Sequence, residues 1–218
     1  MSGCPLLCEL HAHSTWSDGD LSVSELVDLY GSHEFDVLCV TDHVGRGGEW
    51  HDPRWRITGP DAHAEYLAEI QREAWRAEVE YGLLLVPGLE LTYDDHDPVE
   101  AALVEARGAG AALIAAHPYP PGAATAARST TRWAVAGHSL SGLVDRYELV
   151  NRRDVFSWVA EAGLPGVASG DFHRHEHLLT WKTLLPCAAG EGAVVRYLRS
   201  ALPAYLVDLA EPARTQAA

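Results

Sequence analysis

The sequence has few basic residues and no long hydrophobic run. Its 218 residues include 16 Lys or Arg against 31 Asp or Glu, a formal charge of −15. Because phosphate neutralisation supplies much of the affinity for nucleic acids, their binding surfaces are normally basic, so this balance argues against nucleic acid and against an anionic membrane as partners. No apolar stretch approaches the roughly 20 residues that span a bilayer. No secretion signal is visible, so we expect a cytoplasmic protein without a membrane partner.

The chain also lacks paired cysteines. Its four cysteines, Cys4, Cys8, Cys39 and Cys187, form no Cys-x-x-Cys pair. A closed structural zinc site built on thiolates is therefore not indicated. We expect reduced, mostly buried thiols.

The sequence does contain an alternation of short apolar runs and amphipathic helical patterns, which is typical of repeated βα units. Six strands are predicted by PLLCEL, VLCVT, LLLVPG, ALIAA, YELV and GVASG, with TLL as a candidate seventh and AYLVDL as a candidate closing strand. Ser22 and Glu25 form a capping box before the first helix. No repeat or linker divides the chain, so we predict a single domain over residues 1–218, with a core at about 6–209 and a loose tail at 210–218.

Imidazole and carboxylate side chains follow five of the predicted strands. In a parallel barrel the carboxyl ends of the strands converge on one face, where active sites are built. His11 and His13 are two residues apart, and alternate residues of a strand point the same way, so both can reach one ion. The side chains at the strand ends are those of His11, His13, His43, Glu90, His117, Asp171 and His173.

Imidazoles mixed with carboxylates suit Zn, Mn or Fe. So many candidate ligands exceed the needs of one tetrahedral ion, which implies two or three divalent ions that share a bridging carboxylate, with Glu90 or Asp171 as the natural bridge. Such ions activate water and clamp both oxygens of an in-line displacement. This chemistry is hydrolytic, and phosphoesters are the leading substrates.

The chain resembles proteins of the PHP (polymerase and histidinol phosphatase) superfamily. The resembling segments are ELHAHSTWSDGDLSVSELVDLY, VLCVTDHV, VPGLELT, LIAAHPYP and VASGDFHR. The resemblance implies a single α/β domain with the PHP fold, a distorted (β/α)7 TIM-like barrel that holds two or three metal ions at its mouth. It implies eight metal ligands, namely His11, His13, Asp18, His43, Glu90, His117, Asp171 and His173.

Two positions qualify this resemblance. Asp42 is interpreted as a residue that orients a ligand or the turn beside it. Many relatives have a further ligand histidine between the glutamate and the histidine that precedes proline. Here His96 is the sole histidine in that interval, and its place before Asp97-Pro98 resembles a turn before a helix.

We therefore predict a metal-dependent phosphoesterase that acts on a small phosphorylated metabolite. A metal-bound hydroxide would attack phosphorus, and Asp171 or His173 would assist the leaving oxygen. The substrate phosphate needs a cation, for which Arg46, Arg174 and Lys182 are candidates. Two alternatives remain open. One is an amidohydrolase-type C–N hydrolase that uses the same metals. The other is a catalytically weakened metal-binding module, which the short segment around His96 favours.

Overall fold

The computed structural model describes residues 4–44, 52–91, 99–118 and 142–210. Strands and helices alternate along much of the chain, and a short 3₁₀ turn covers His175–His177. The elements in these ranges are β1 (Leu6–Glu9), α1 (Val23–Ser32), β2 (Val37–Val40), α2 (Pro60–Tyr81), β3 (Leu84–Pro87), α3 (Val99–Gly108), β4 (Ile114–Ala115), β5 (Arg146–Asn151), β6 (Asp154–Val155), α4 (Ser157–Glu161), β7 (Gly166–Ser169), β8 (Trp181–Leu185), α5 (Glu191–Leu198) and β9 (Tyr205–Asp208).

Local signals define the ends of the first two helices. The backbone N–H of Glu25 donates to Ser22 Oγ, and the backbone N–H of Ser22 donates to Glu25 Oε2 at 2.8 Å, so the capping box before α1 is confirmed. Pro60 begins α2, where a missing N–H costs nothing. Gly82 ends α2 with φ of 68°, a left-handed conformation that favours glycine.

The strands form two sheets. In the first, of order β3-β2-β1-β8-β9, the strands β1, β2 and β3 are parallel, whereas β8 is antiparallel to both β1 and β9. In the second, β5 pairs in parallel with β4 and β7 and in antiparallel with the short β6. The two sheets meet through a one-residue parallel bridge between Ala12 and Phe172.

The prediction of a distorted (β/α)7 TIM-like barrel is wrong, because the strands of the described ranges form two sheets and no closed barrel. The reason lies in the edges of β1. One edge pairs with β2 and the other with the antiparallel β8, so β1 has no free edge along its length for β7. The run TLL, our candidate seventh strand, lies in β8.

Two hydrophobic clusters cover the faces of the first sheet. Leu38 and Val40 of β2 pack with α1 and α2 on one face, while Val37 and Cys39 pack towards α5 on the other. All four residues of β2 are buried, as is typical of a central parallel strand. Among the described helices, none is both long and apolar enough to cross a bilayer.

The bridge between the sheets brings the carboxyl ends of β1 and β7 together. His13 donates its backbone N–H to the Phe172 carbonyl at 2.8 Å, and Phe172 donates to the His11 carbonyl at 3.0 Å. The segment after β2 joins this end, since Thr41 donates to the carbonyl of Ala12 at 2.7 Å. Side chains that follow these strands therefore share one place in the molecule.

Candidate metal centre

The structure brings together all eight side chains that the sequence analysis named as ligands. They form three overlapping groups, and within each group the potential ligand atoms lie within 4.8 Å of one another. Five imidazoles and three carboxylates are a donor set that suits divalent cations such as Zn, Mn or Fe. The groups are His13, Asp18, His43 and His173; His11, His13 and Asp171; and His11, Glu90 and His117.

Glu90 lies at the centre of these contacts. Its Oε2 is 3.0 Å from Nε2 of His11, 3.1 Å from Nε2 of His13 and 3.5 Å from Nε2 of His43. Its Oε1 is 3.0 Å from Nε2 of His117. Burial raises the pKa of Glu90, but the surrounding imidazoles outweigh this effect and hold the pKa well below its usual range. The two oxygens thus face different histidines, as a bridging carboxylate requires.

Asp18 contributes a buried oxygen that faces three imidazoles. Its Oδ1 lies 3.3 Å from His173 Nε2, 3.5 Å from His13 Nδ1 and 3.9 Å from His43 Nε2. Within the described part of the chain this oxygen makes no hydrogen bond. A buried oxygen without a hydrogen bond is costly, and a cation held with the imidazoles would compensate it. The residues present therefore fit a metal ion.

Asp171 connects the ligand groups to a basic residue. Its Oδ1 is 3.4 Å from His13 Nε2 and 3.6 Å from His11 Nε2, and its Oδ2 is 2.9 Å from a guanidinium nitrogen of Arg152. Asp171 has φ of 41°, and His117 and Arg152 also have positive φ. Left-handed backbone at non-glycine residues is uncommon and clusters at functional sites.

The pKa values of the imidazoles in the centre shift in different directions. Burial lowers the pKa of His11 and of His13, but nearby carboxylates outweigh it, so that the pKa of His11 is raised and that of His13 is about 9. The pKa of His117 is likewise raised, chiefly by Glu90 against the effect of burial. His43 shows the opposite result, because burial lowers its pKa to about 4. Without a bound cation, these raised pKa values favour protons on His11 and His13, which would balance part of the negative charge of Glu90 and Asp171.

Asp42 supports the loop that carries Asp18. It is fully buried, and its Oδ1 accepts from the Ser14 backbone N–H at 2.8 Å and from Ser17 Oγ at 2.6 Å. Its Oδ2 accepts from Ser14 Oγ at 2.7 Å. Because Ser17 also contacts His13 Nδ1 at 3.2 Å, these contacts link the loop to the imidazoles.

Sequence reasoning missed two buried carboxylates behind the centre, Glu9 and Glu148. Glu148 Oε1 lies 2.9 Å from His11 Nδ1. Glu9 accepts from the backbone N–H groups of His11 and Gly170, at 3.2 and 2.8 Å. In the sequence each interrupts a short apolar run, LLCEL for Glu9 and YELV for Glu148, and that was the available signal, because a buried carboxylate is costly unless it has partners.

The candidate phosphate-binding residues are dispersed. Arg46 lies outside the described residues, as does His96. Arg174 is exposed and pairs with Glu176 at 2.8 Å. Lys182 is fully buried, and its ammonium contacts Glu9 Oε2 at 3.0 Å, Thr180 Oγ1 at 2.9 Å and the His177 carbonyl at 3.2 Å. These three contacts use all three donors of Lys182.

Gly170 permits the close packing of Glu9 and Lys182 behind the centre. A Cβ at this position would lie 2.3 Å from Glu9 Oε2 and 2.4 Å from Lys182 Nζ. We expect Gly170→Ala to lower the free energy of unfolding by about 2 kcal/mol or more, because the buried ion pair would have to move. Thermal denaturation checks this, with Gly108→Ala, where a Cβ meets nothing within 4 Å, as the control. Equal melting temperatures for the two variants would contradict it.

One comparison with known proteins extends these observations. The chain is similar to the crystal structure of a two-domain protein from Bacteroides vulgatus ATCC 8482 that contains a predicted PHP-like metal-dependent phosphoesterase. The TM-score is 0.69 at 18% sequence identity, over 96% of this chain and 68% of that chain. No protein-family model and no curated protein matches the chain. At this identity the likeness concerns the fold, so the chain shares its mixed α/β fold with a protein that contains a predicted metal-dependent phosphoesterase.

Proposed function

We propose that the chain is a metal-dependent phosphoesterase that hydrolyses a small phosphorylated metabolite. The observation that carries the proposal is the set of three overlapping ligand groups that share His11 and His13. A single tetrahedral ion cannot use eight ligands, so two or three divalent ions are proposed, with Glu90 as a bridge. The similarity to a protein that contains a predicted PHP-like metal-dependent phosphoesterase supports phosphate chemistry.

Bound divalent ions would supply Lewis-acid charge to a phosphoryl oxygen and would lower the pKa of water. The chain's own residues divide the remaining work. Both oxygens of Asp171 already face imidazoles or Arg152, whereas the His173 side chain retains 22% of its exposure. The ring nitrogens of His173 also have neighbours, Asp18 at Nε2 and Arg152 at Nδ1, so Asp171 and His173 both stay proposed as the group that assists the leaving oxygen, with His173 the more exposed of the two.

Arg152 is the proposed anion-binding residue, in place of the cations named from the sequence. Its side chain is 35% exposed, and it contacts Asp171 Oδ2 at 2.9 Å and His173 Nδ1 at 3.1 Å. A guanidinium so close to the ligand groups offers further N–H donors to a phosphate.

We expect Arg152→Ala to raise KM by about 10- to 150-fold, since a charged hydrogen bond contributes about 1.5–3 kcal/mol. Steady-state kinetics on a phosphomonoester measures this. Arg153→Ala is the matched control, because Arg153 is 60% exposed and lies near Asp208 instead. Equal effects of the two substitutions would argue against an anion site at Arg152.

The proposed function is tested with purified protein loaded with Mn²⁺ or Zn²⁺ and a panel of phosphomonoesters and phosphodiesters. Phosphate release is expected from at least one class, and a His11→Ala/His13→Ala variant should lose it. Turnover no greater than that of this variant would overturn the proposal. Release of ammonia or an amine from nitrogen-containing substrates, without phosphoesterase turnover, would replace it with C–N hydrolysis.

A further inference from the structure

Glu148 of β5 is surrounded by donors from four segments of the chain. It is 1% exposed. Its Oε1 contacts His11 Nδ1 at 2.9 Å and accepts from Ser169 Oγ. Its Oε2 accepts from Asn151 Nδ2 at 2.8 Å and from the backbone N–H of His117. A carboxylate offers about four acceptor positions, so the donors that face Glu148 use its full capacity.

The contact with His11 determines which ring nitrogen faces the metal centre. Because a carboxylate only accepts, Nδ1 of His11 must carry a hydrogen. The other nitrogen, Nε2, lies 3.0 Å from Glu90 Oε2. A ligating imidazole whose second nitrogen donates to a carboxylate is oriented, and its tautomer is set, by that carboxylate.

The contact with His117 holds a strained turn. His117 has φ of 30°, and its backbone N–H donates to Glu148. Its Nε2 lies 3.0 Å from Glu90 Oε1. Left-handed backbone at a non-glycine residue persists only where its surroundings hold it, and a buried carboxylate on the N–H does so.

We propose that Glu148 is a positioning residue of the metal centre, which aims His11 and His117 at the two oxygens of Glu90. Glu148 itself belongs to none of the three ligand groups. It therefore acts through the two histidines. The inference rests on the metal binding that the proposed function requires, and it is independent of the substrate.

The substitution Glu148→Gln tests this role with little change in shape. The amide of Gln replaces one acceptor oxygen of Glu148 with an N–H donor. On that side of the group, the amide then faces groups that are themselves hydrogen-bond donors. If the amide nitrogen faces His11, the ring proton must move to Nε2, the atom that faces Glu90. If it faces His117, the backbone N–H at the strained turn loses its partner. Either arrangement displaces a potential ligand of the same group.

Asp145, the residue directly before β5, provides a matched control away from the metal centre. Its side chain is 4% exposed, accepts from the backbone N–H of Leu113 at 2.8 Å, and pairs with Arg107. Glu148 and Asp145 thus both connect the chain around β4 to β5, one at the metal centre and one remote from it. Asp145→Asn removes a comparable carboxylate without touching either histidine.

The experiment titrates metal-free wild type, Glu148→Gln and Asp145→Asn with Zn²⁺ alone in competition with a chromophoric chelator, and records their melting temperatures. Glu148→Gln is expected to weaken binding by about 10- to 100-fold, the usual effect of losing such a support. Asp145→Asn should lower the melting temperature and change the affinity by less than about twofold. An unchanged affinity in Glu148→Gln, or an equal loss in Asp145→Asn, would overturn the inference.

Asn151→Ala covers the case in which Glu148→Gln does not fold. It removes one donor from Glu148 Oε2 and adds no opposing donor. The expected loss of affinity is about fivefold, as for one hydrogen bond of about 1 kcal/mol. Wild-type affinity in this variant would then overturn the inference. A wild-type chain that binds no Zn²⁺ would instead overturn the proposed function, so the two failures are distinguishable.

Discussion

Replacing Glu90 with Gln is expected to reduce phosphoesterase turnover by about 100- to 1,000-fold, the range seen when one electrostatic contributor to an active site is removed. The same change is expected to lower the number of metal ions bound per chain. The reason is geometric. Glu90 faces His11, His13 and His43 with Oε2 and His117 with Oε1. Gln supplies one neutral oxygen and turns N–H donors towards imidazole nitrogens, so it cannot bridge two ions.

Steady-state kinetics and elemental analysis of the purified variant measure these two effects. Asp36→Asn is the matched control, since Asp36 accepts from the backbone N–H of Leu7 at 2.7 Å, at the end of β1 away from the metal centre. Wild-type turnover and metal content in Glu90→Gln would contradict a bridging role and leave Asp171 as the alternative bridge.

Metal binding to the metal-free protein is expected to release at least one proton per chain near neutral pH. His13 has a raised pKa of about 9, so below that pH it carries a proton that must leave before its ring nitrogen binds a cation. The apparent affinity should therefore rise with pH, by about tenfold per pH unit for each proton displaced, and should level off above about pH 9. At low pH the cations and the protons compete for the same imidazoles.

Calorimetric titration of Zn²⁺ in two buffers of different ionisation enthalpy counts the released protons. His33→Ala is the control, because the His33 side chain is exposed and contacts the Leu29 carbonyl and Ser32 at the end of α1, away from the ligand groups. The control should release as many protons as the wild type, and His13→Ala should release fewer. A binding enthalpy that does not depend on the buffer would contradict the prediction.

Much of the local structure could be predicted from the sequence. The capping box at Ser22 and Glu25 depends on residues three apart, so its hydrogen bonds form wherever the helix forms. The short apolar runs became strands because buried strands are read from composition over a few residues. The pair His11 and His13 is also local, since alternate strand residues point the same way.

Strand pairing could not be predicted in the same way. The run TLL has no feature that distinguishes a parallel strand from an antiparallel one, and the barrel was wrong because β8 lies antiparallel on the edge of β1. Pairing depends on residues more than 170 positions apart, such as Leu6 and Leu185, and a single sequence does not encode such contacts in any local pattern. The position of Glu148 behind His11 was missed for the same reason, since it depends on what lies opposite Glu148 in the fold.

The sequence by itself determined the kinds of groups available: an acidic chain with imidazoles and carboxylates placed after successive apolar strands. Those residue types limit the chemistry, because only certain cations prefer them as ligands. Only the tertiary structure decided the distances among them, which carboxylates support them from behind, and which arginine lies beside them. Glu90 and His11 are distant in the sequence, yet their side chains lie 3.0 Å apart because of strand pairing and packing. No short stretch of sequence specifies that pairing and packing.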